Sequence, residues 1–354
     1  MARQLLLERR HMPAAEAVEH LVGQQAQVPI TPYIGLWSRL EGFEPAELSG
    51  AIERREAVRM PLMRATIHLV TSSDALSLSG VTRSVLARTF SGQSNFVRGL
   101  AGADTEEITA FGRRLLEERP RTRVELRPLL SERWPDADAD ALAYAVSYLV
   151  PHVQVPPRGL WRASGQATLT TPEAWLGTGT DPPVSTGEVI VRYLAAFGPA
   201  GTADMRTWSG LSGLRAVVER LRPSLRTFHD EKGRELFDLP DAPRPDPDTP
   251  APTRFLPEYD NVMLSHADRG RVTGGVSGVQ MPEGRAGVLG SLLVDGFFGG
   301  MWRITRRRGL AVLRIEHRGG ISRGQREDLA EEGARLLAFV EPEAGSRDVE
   351  LVCV

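Results

Sequence analysis

Val18, Leu21 and Val22 recur at positions i, i+3 and i+4, the apolar stripe of an amphipathic helix. Gln25 takes the next place on that stripe, so a core-facing position carries an uncharged amide. Pro29 drives Val28 toward extended backbone, which ends the helix near Gln25. In an extended exit Gln25 and Gln27 lie two residues apart and share a face. The stretch Gly23-Gln24-Gln25-Ala26-Gln27 can therefore bring two amides together at a helix end. Such amides ordinarily satisfy nearby backbone groups; residues that break a local pattern also mark functional sites.

The same kind of pattern organises the chain in order. Pro13 opens the first helix. Thr31 caps a second, with Pro32 in its first turn, running to Leu40. Glu44-Pro45 starts a third, to Arg55. Two extended runs follow, 57–60 and 65–70. Three helices and a two-stranded ribbon is the winged-helix pattern, and with the helical segment 72–100 it gives a first unit over 1–100. A second unit, 101–184, has helices at Thr105–Glu118, 124–133 and 138–149, then extended runs 152–155 and 160–163 around Pro156-Pro157-Arg158-Gly159. A third, 185–240, has helices at 186–197, 201–208 and 211–221 and a ribbon of 225–229 and 235–239. The three make a degenerate repeat. Asp241–Pro252, rich in Pro and Asp, reads as a linker. From 253 to 354 the texture turns to β, with strands at 254–256, 286–294, 297–305, 310–317 and 349–354 and a helix at 323–340, as in a small barrel or curled sheet. The fold class is α+β, mainly α.

Composition narrows the chemistry. At 354 residues, with 41% hydrophobic and 25% charged residues, the chain is an ordinary globular protein with room for several domains. The net charge of −2 does not by itself announce a nucleic-acid binder. Basic charge is almost all arginine; Lys232 is the one lysine, so Schiff-base chemistry has a single side-chain candidate besides the α-amine. The single cysteine, Cys353, can form neither an internal disulfide nor a zinc site, which points to a reducing, cytoplasmic compartment. The first ten residues are no signal peptide, and there is no apolar run of about 18 residues to span a membrane. Dinucleotide, Walker and His-Glu-x-x-His motifs are absent, so neither a cofactor nor a metal is expected.

Three polar groups stand out beside the glutamines. Arg64 and His68, i and i+4 on the first ribbon, share a face; they suit phosphate contact or the site beside the glutamines, and equally an exposed arginine and a satisfied histidine. Arg306-Arg307-Arg308-Gly309 falls between two strands as a basic hairpin tip, with Arg303 nearby. Such a tip can reach phosphates or enter a minor groove, or be a solvated turn. Glu258-Tyr259-Asp260 and Asp268-Arg269 form a polar cluster. Asp260 is a candidate carboxylate, but the preferred reading pairs it with Arg269 to hold a loop.

Set in order, Gly23-Gln24-Gln25-Ala26-Gln27, Leu36-Trp37-Ser38-Arg39-Leu40, Met63-Arg64-Ala65-Thr66-Ile67-His68-Leu69, Gly198-Pro199-Ala200 with Asp204, Trp208-Ser209-Gly210, Leu256-Pro257-Glu258-Tyr259-Asp260, Val294-Asp295-Gly296 and Gly300-Met301-Trp302-Arg303 resemble the AlkZ family of bacterial DNA glycosylases over nearly the whole chain. The family's chains begin some residues before the segment matching Ala2–Leu6, which implies an alternative or shortened start at Met1. The resemblance implies three tandem winged helices in a C-shaped arrangement. It also implies excision of alkylated bases from double-stranded DNA, including N7-alkylguanine adducts, and unhooking of interstrand crosslinks. Such activity confers self-resistance to a DNA-alkylating natural product. The family's catalytic Gln-x-Gln maps onto Gln25-Ala26-Gln27; some relatives carry Asp at the second position. Arg64, His68, Arg303, Arg306, Arg307 and Arg308 then become DNA-contacting candidates, and Tyr259, Asp260 and Arg269 supporting ones. A monomeric, monofunctional glycosylase is expected, acting at the nucleoid and leaving an abasic site. The rival readings are a non-enzymatic winged-helix regulator and a protein that sequesters the alkylating drug itself.

Overall fold

Gln24–Gln25, the expected end of the first helix, is a short strand paired antiparallel with Ile67–Thr71, Gln25 opposite His68. The computed structural model describes residues 1–177, 183–275 and 287–354. The first helix spans Ala14–His20 and stops early because the chain reverses. The Gly23 N–H bonds to the Val18 carbonyl at 2.8 Å and the Val22 N–H to Glu19 at 3.0 Å, the paired bonds of a Schellman stop. Val22 occupies the left-handed position at φ 53°, a conformation that costs a β-branched residue about 1–2 kcal/mol. The burial of Gln25 thus comes from a sheet edge and not from the helical stripe.

The chain divides into two units. The larger comprises Pro13–Ile30 and Glu44–Pro240. Its six-stranded sheet runs Gln24–Gln25, Ile67–Thr71, Ala57–Pro61, Val153–Val155, Thr168–Thr170, Arg121–Thr122. The ribbons of the first and second repeats are therefore one continuous sheet, joined where Arg59 pairs with Gln154. The partner of Val153–Val155 is Thr168–Thr170 and not the expected run 160–163. Pro156, Pro157 and Gly159 lie between, and the chain turns through Leu160–Ala163 before it pairs. Around the sheet stand helices Pro45–Glu53, Ser72–Ser91, Ser94–Gly99, Thr105–Glu118, Arg123–Arg133 and Ala139–Leu149. The segment expected as the third repeat holds helices Thr186–Phe197, Thr202–Ser209 and Leu214–Leu221 and the ribbon Arg226–His229 and Glu235–Asp238. Caps are explicit in sequence: Thr122 with Glu125, and Ser185 with Glu188, form reciprocal capping boxes. One apolar core joins Leu21, Val22, Val58, Met60 and Val70 of the first repeat to Tyr193, Phe197 and Trp208 of the third. The second repeat has its own core around Ile108, Leu116, Leu126, Leu142 and Val146.

The smaller unit comprises Met1–Met12, Thr31–Phe43 and Asp241–Val354. Its five-stranded sheet runs Ser346–Cys353, Leu310–His317, Phe297–Arg307, Val288–Val294, Arg254–Pro257. All neighbours are antiparallel except the first two, which are parallel. Helix Arg323–Val340 makes the crossover that a parallel pair requires. The sheet is open, with Arg254–Pro257 and Ser346–Cys353 as its edges, so it is not a barrel. Ala286, the expected first residue of the Val288–Val294 strand, lies outside the described residues.

Helix Thr31–Trp37, expected in the first winged helix, packs in this smaller unit. Ser38 Oγ donates to the Phe255 carbonyl, and Trp37 stacks on Phe339 with centroids 5.8 Å apart. Every residue of the helix is buried, so it carries no polar face to show in sequence which partner it takes. Arg39, just beyond it, forms a bidentate pair with Asp260 at 2.8 and 2.9 Å; it also donates to the carbonyls of Gln4 (3.0 Å) and Gly35 (2.9 Å). This corrects the expected Asp260–Arg269 pair: Arg269 stands half-buried at the start of the short helix Gly270–Thr273. Asp260 is fully engaged, since Oδ1 also caps the Val262 N–H at 2.9 Å.

Candidate active site

The turn between strands Ala57–Pro61 and Ile67–Thr71 places Arg64 beside the glutamines. Arg64 and Ala65 both sit in the left-handed region, at φ 56° and 57°. With Val22, this puts three strained non-glycine residues around Gln25, a concentration of strain typical of working sites. What holds the turn is the C-terminus of helix Thr202–Ser209. Arg64 Nη1 donates to the Trp208 carbonyl, and Gly210 ends that helix at φ 77°. A Cβ on Gly210 would stand 3.3 Å from the Arg64 Cα and N and 2.9 Å from Val85 Cγ1, so only glycine lets the two backbones meet. The Trp208-Ser209-Gly210 motif thus acts as a clamp on the Arg64 turn.

The second terminal nitrogen of Arg64 donates to Gln25 Oε1 at 3.0 Å and faces His68 Nε2 at 3.4 Å. His68 Nδ1 lies 2.9 Å from the Thr66 carbonyl. A carbonyl only accepts, so Nδ1 carries the proton and Nε2 is left as an acceptor for Arg64. His68 is buried, and burial first, then the charge of Arg64, push its pKa down to about 3. It is neutral throughout the working range. Burial lowers Arg64 to about 10, which leaves it cationic at neutral pH. Of the two roles that the sequence allows this pair, the geometry favours support of Gln25: both terminal nitrogens of Arg64 already meet protein acceptors.

Gln27 is exposed, two residues past the strand, and its Oε1 accepts the Ile67 N–H at 3.2 Å. The Ala26 N–H between the two glutamines bonds to the Ile67 carbonyl at 2.7 Å. Both amides therefore turn their oxygens toward obligate donors, which fixes their orientation. An amide oxygen has two lone pairs and the amide nitrogen two N–H donors. An amide so placed can accept from a water O–H and donate to a neighbouring oxygen without exchanging protons. Behind the motif, Arg59 Nη2 donates to the Ala26 carbonyl at 2.6 Å and Nη1 to Gln154 Oε1 at 2.8 Å. Sequence reading passed over Arg59 and Gln154. An arginine at a strand position and a glutamine ninety-odd residues away carry no local signal of their pairing.

The remaining candidates, Lys232 apart, are in the smaller unit. The expected four-residue tip Arg306–Gly309 is tighter than the sequence suggests: Arg306 and Arg307 extend the strand Phe297–Arg307, and Arg308 and Gly309, at φ 48° and 84°, alone form the turn to Leu310–His317. Arg303, Arg307 and Arg308 are exposed there; Arg306 is exposed too but bonds Glu341 at 3.2 Å. Tyr259, half-buried at φ 61°, turns the chain into the Asp260 cap. Lys232 lies exposed in the turn of the ribbon Arg226–His229 and Glu235–Asp238. Among the described residues no cluster of three or more histidine, cysteine or carboxylate groups could hold a metal, and no helix is long and apolar enough to cross a membrane.

Comparison with known proteins bears on the fold and the family. A search of curated proteins found no match. Among solved structures, the Streptomyces sahachiroi DNA glycosylase AlkZ has a similar fold, with a TM-score of 0.74 over 100% of this chain and 97% of that one. At 20% identity the two are distinct proteins. The family model described as "DNA glycosylase AlkZ-like" matches residues 18–339, which include both glutamines, Arg64, the Trp208-Ser209-Gly210 clamp and the Arg39–Asp260 pair. The chain belongs to the AlkZ-like family of DNA glycosylases.

Proposed function

We propose that this DNA glycosylase hydrolyses the N-glycosidic bond of N7-alkylguanine in duplex DNA, and that it unhooks interstrand crosslinks made through the same atom. The observation that carries this reading is the neutrality of the two anchored amides. Gln25 and Gln27 cannot protonate a departing base, and His68 beside them is held neutral. A site of this kind suits a base that is already a good leaving group. Alkylation at N7 makes guanine cationic and supplies that property without an acid. What is left for the protein is to place a water at the anomeric carbon and to favour the oxocarbenium character of the sugar. Gln25 and Gln27 orient the water through amide groups that both accept and donate. Arg64 keeps Gln25 in position and polarises its amide, which strengthens the N–H as a donor.

A crosslinked guanine is tied to the opposite strand and cannot swing freely into a closed pocket. The exposure of Gln27 suits an approach to DNA that does not require such a swing. Lys232 lies exposed in the turn of the ribbon Arg226–His229 and Glu235–Asp238; in this reading water and not an amine is the nucleophile, and the product is an abasic site. An organism that makes a guanine-alkylating compound would be protected by this reaction. The enzyme acts as a monomer in this reading.

The test is base release from a duplex with one N7-methylguanine and unhooking of one defined crosslink, for the wild type beside Gln25→Ala and Gln27→Ala. The expected outcome is release and unhooking by the wild type and a loss of about a hundredfold or more in each variant. Borohydride should trap no covalent intermediate. Tight sequence-specific binding without release would favour a regulator, and binding of free drug without effect on adducted DNA a sequestering protein.

A further inference from the structure

We propose that Arg59 is a positioning residue for the Gln25-Ala26-Gln27 motif, and that Gln154 of the second repeat holds it in register. The inference rests on the reading of Gln25 and Gln27 as the groups that orient the water.

Arg59 is 2% exposed, in the strand Ala57–Pro61, and opposite Gln154 across the junction of the two ribbons. Its guanidinium spans two acceptors. Nη2 takes the Ala26 carbonyl at 2.6 Å, and Nη1 takes Gln154 Oε1 at 2.8 Å. Ala26 is the residue between the two glutamines, and its peptide plane sets how both side chains leave the backbone. Its N–H is already tied to Ile67 at 2.7 Å. With Arg59 on the carbonyl side, both polar groups of Ala26 are fixed, and the segment that leaves the sheet edge has little freedom to rotate.

The passage for this side chain is itself built. Gly159, at φ 105°, lies so close to Arg59 that a Cβ there would stand 2.6 Å from Arg59 Cδ. The Pro156-Pro157-Arg158-Gly159 turn thereby makes room for the arm that reaches the glutamines. A buried fork of this kind demands planar, bidentate geometry that a lysine ammonium does not reproduce. The second repeat then contributes to the reaction without touching the substrate.

The experiment compares Arg59→Lys, Gln154→Leu and Gln154→Glu with the wild type, with Gln25→Ala and Gln27→Ala as references. Single-turnover release of N7-methylguanine gives the chemical step, fluorescence anisotropy on the same duplex gives the DNA affinity, and thermal melting gives the fold. Arg59→Lys and Gln154→Leu should lose about ten- to a hundredfold in the chemical step, as for a displaced catalytic group, with DNA affinity unchanged within about twofold. Gln154→Glu keeps an acceptor for Nη1 and should recover most of the rate. Folded Arg59→Lys and Gln154→Leu proteins that react at the wild-type rate overturn the proposal. So does a parallel fall of rate, affinity and melting temperature without recovery in Gln154→Glu, which describes a purely structural arginine. If the two glutamine variants keep the wild-type rate, the reading of the motif fails and this inference with it; if they lose it while the Arg59 and Gln154 variants do not, only this inference fails.

Discussion

Lowering the pH should weaken the fold before it alters the chemistry, because two buried histidines stay neutral in the folded protein. His68 is held to a pKa of about 3 by burial and the charge of Arg64, and His152 to about 4 chiefly by burial, against an ordinary value of 6.5. A depressed histidine pKa means that the unfolded chain binds protons more readily than the folded one below 6.5. Stability is therefore complete above that value and is lost as pH falls from 6.5 toward each folded pKa. Each histidine then costs about 2 kcal/mol at a pH of about 5, or about 4 kcal/mol for the pair. Both side chains are almost fully buried, so solvent screening reduces this little. The assay is urea unfolding from about pH 8 to about pH 5, with His68→Gln and His152→Gln measured in parallel. Each variant should remove about half of the pH-dependent loss attributed to the pair, whatever its effect at pH 8. The rate of base release, measured where the protein remains folded, should show no titration between about pH 5.5 and 8.5, since neither the amides nor His68 change charge there. A rate that rises or falls through a pKa of about 6 to 7 and loses that step in His68→Gln would refute the reasoning. So would variants whose stability keeps the full acid dependence of the wild type.

Three further outcomes test other parts of the structure. Gly210→Ala places a Cβ 2.9 Å from Val85 and 3.3 Å from Arg64 at a positive φ; it should cost about 1–3 kcal/mol in denaturant unfolding and lower base release, and a neutral substitution would remove the clamp from the account. Asp260→Ala leaves the Arg39 guanidinium, 1% exposed, without its carboxylate. A loss of about 3–5 kcal/mol is expected, and a change below about 1 kcal/mol would show that the pair does not anchor the smaller unit. Arg307→Ala with Arg308→Ala should lower DNA affinity and reduce the log–log salt slope by about 2 if both meet phosphates; an unchanged slope removes the hairpin tip from the interface.

Much of the local structure was legible from pattern alone. Helix Thr105–Glu118 has the expected bounds, though Asp104 and not the expected Thr105 caps it, and helices Thr186–Phe197 and Arg323–Val340 likewise keep theirs. A hairpin near Arg306–Gly309 was legible from the glycine between two extended runs, but not that Arg306 and Arg307 belong to the strand, since cross-strand pairing with Ala311 and Leu310 decides that. The family was legible because its marks occur in order along most of the chain. Less visible was anything that depends on a partner distant in sequence. Gln25 fitted a helical stripe by spacing, yet the Val22–Gly23 reversal ends the helix first, and the strand Ile67–Thr71 then buries it. Asp260 had Arg269 nearby in sequence, but Arg39 reaches it across 221 residues with two bonds.

The sequence by itself determined which residues could do the chemistry: two neutral amides two apart, an arginine and a histidine on one ribbon, and a chain almost without lysine. Tertiary structure set how these groups are arranged. It turned both amide oxygens toward donors, held His68 neutral, closed the Arg64 turn against Gly210, and passed Arg59 over Gly159 to the Ala26 carbonyl. The physical reason is that periodicity and capping act within one or two turns of chain, whereas hydrogen bonds between buried groups are set by which segments share a core.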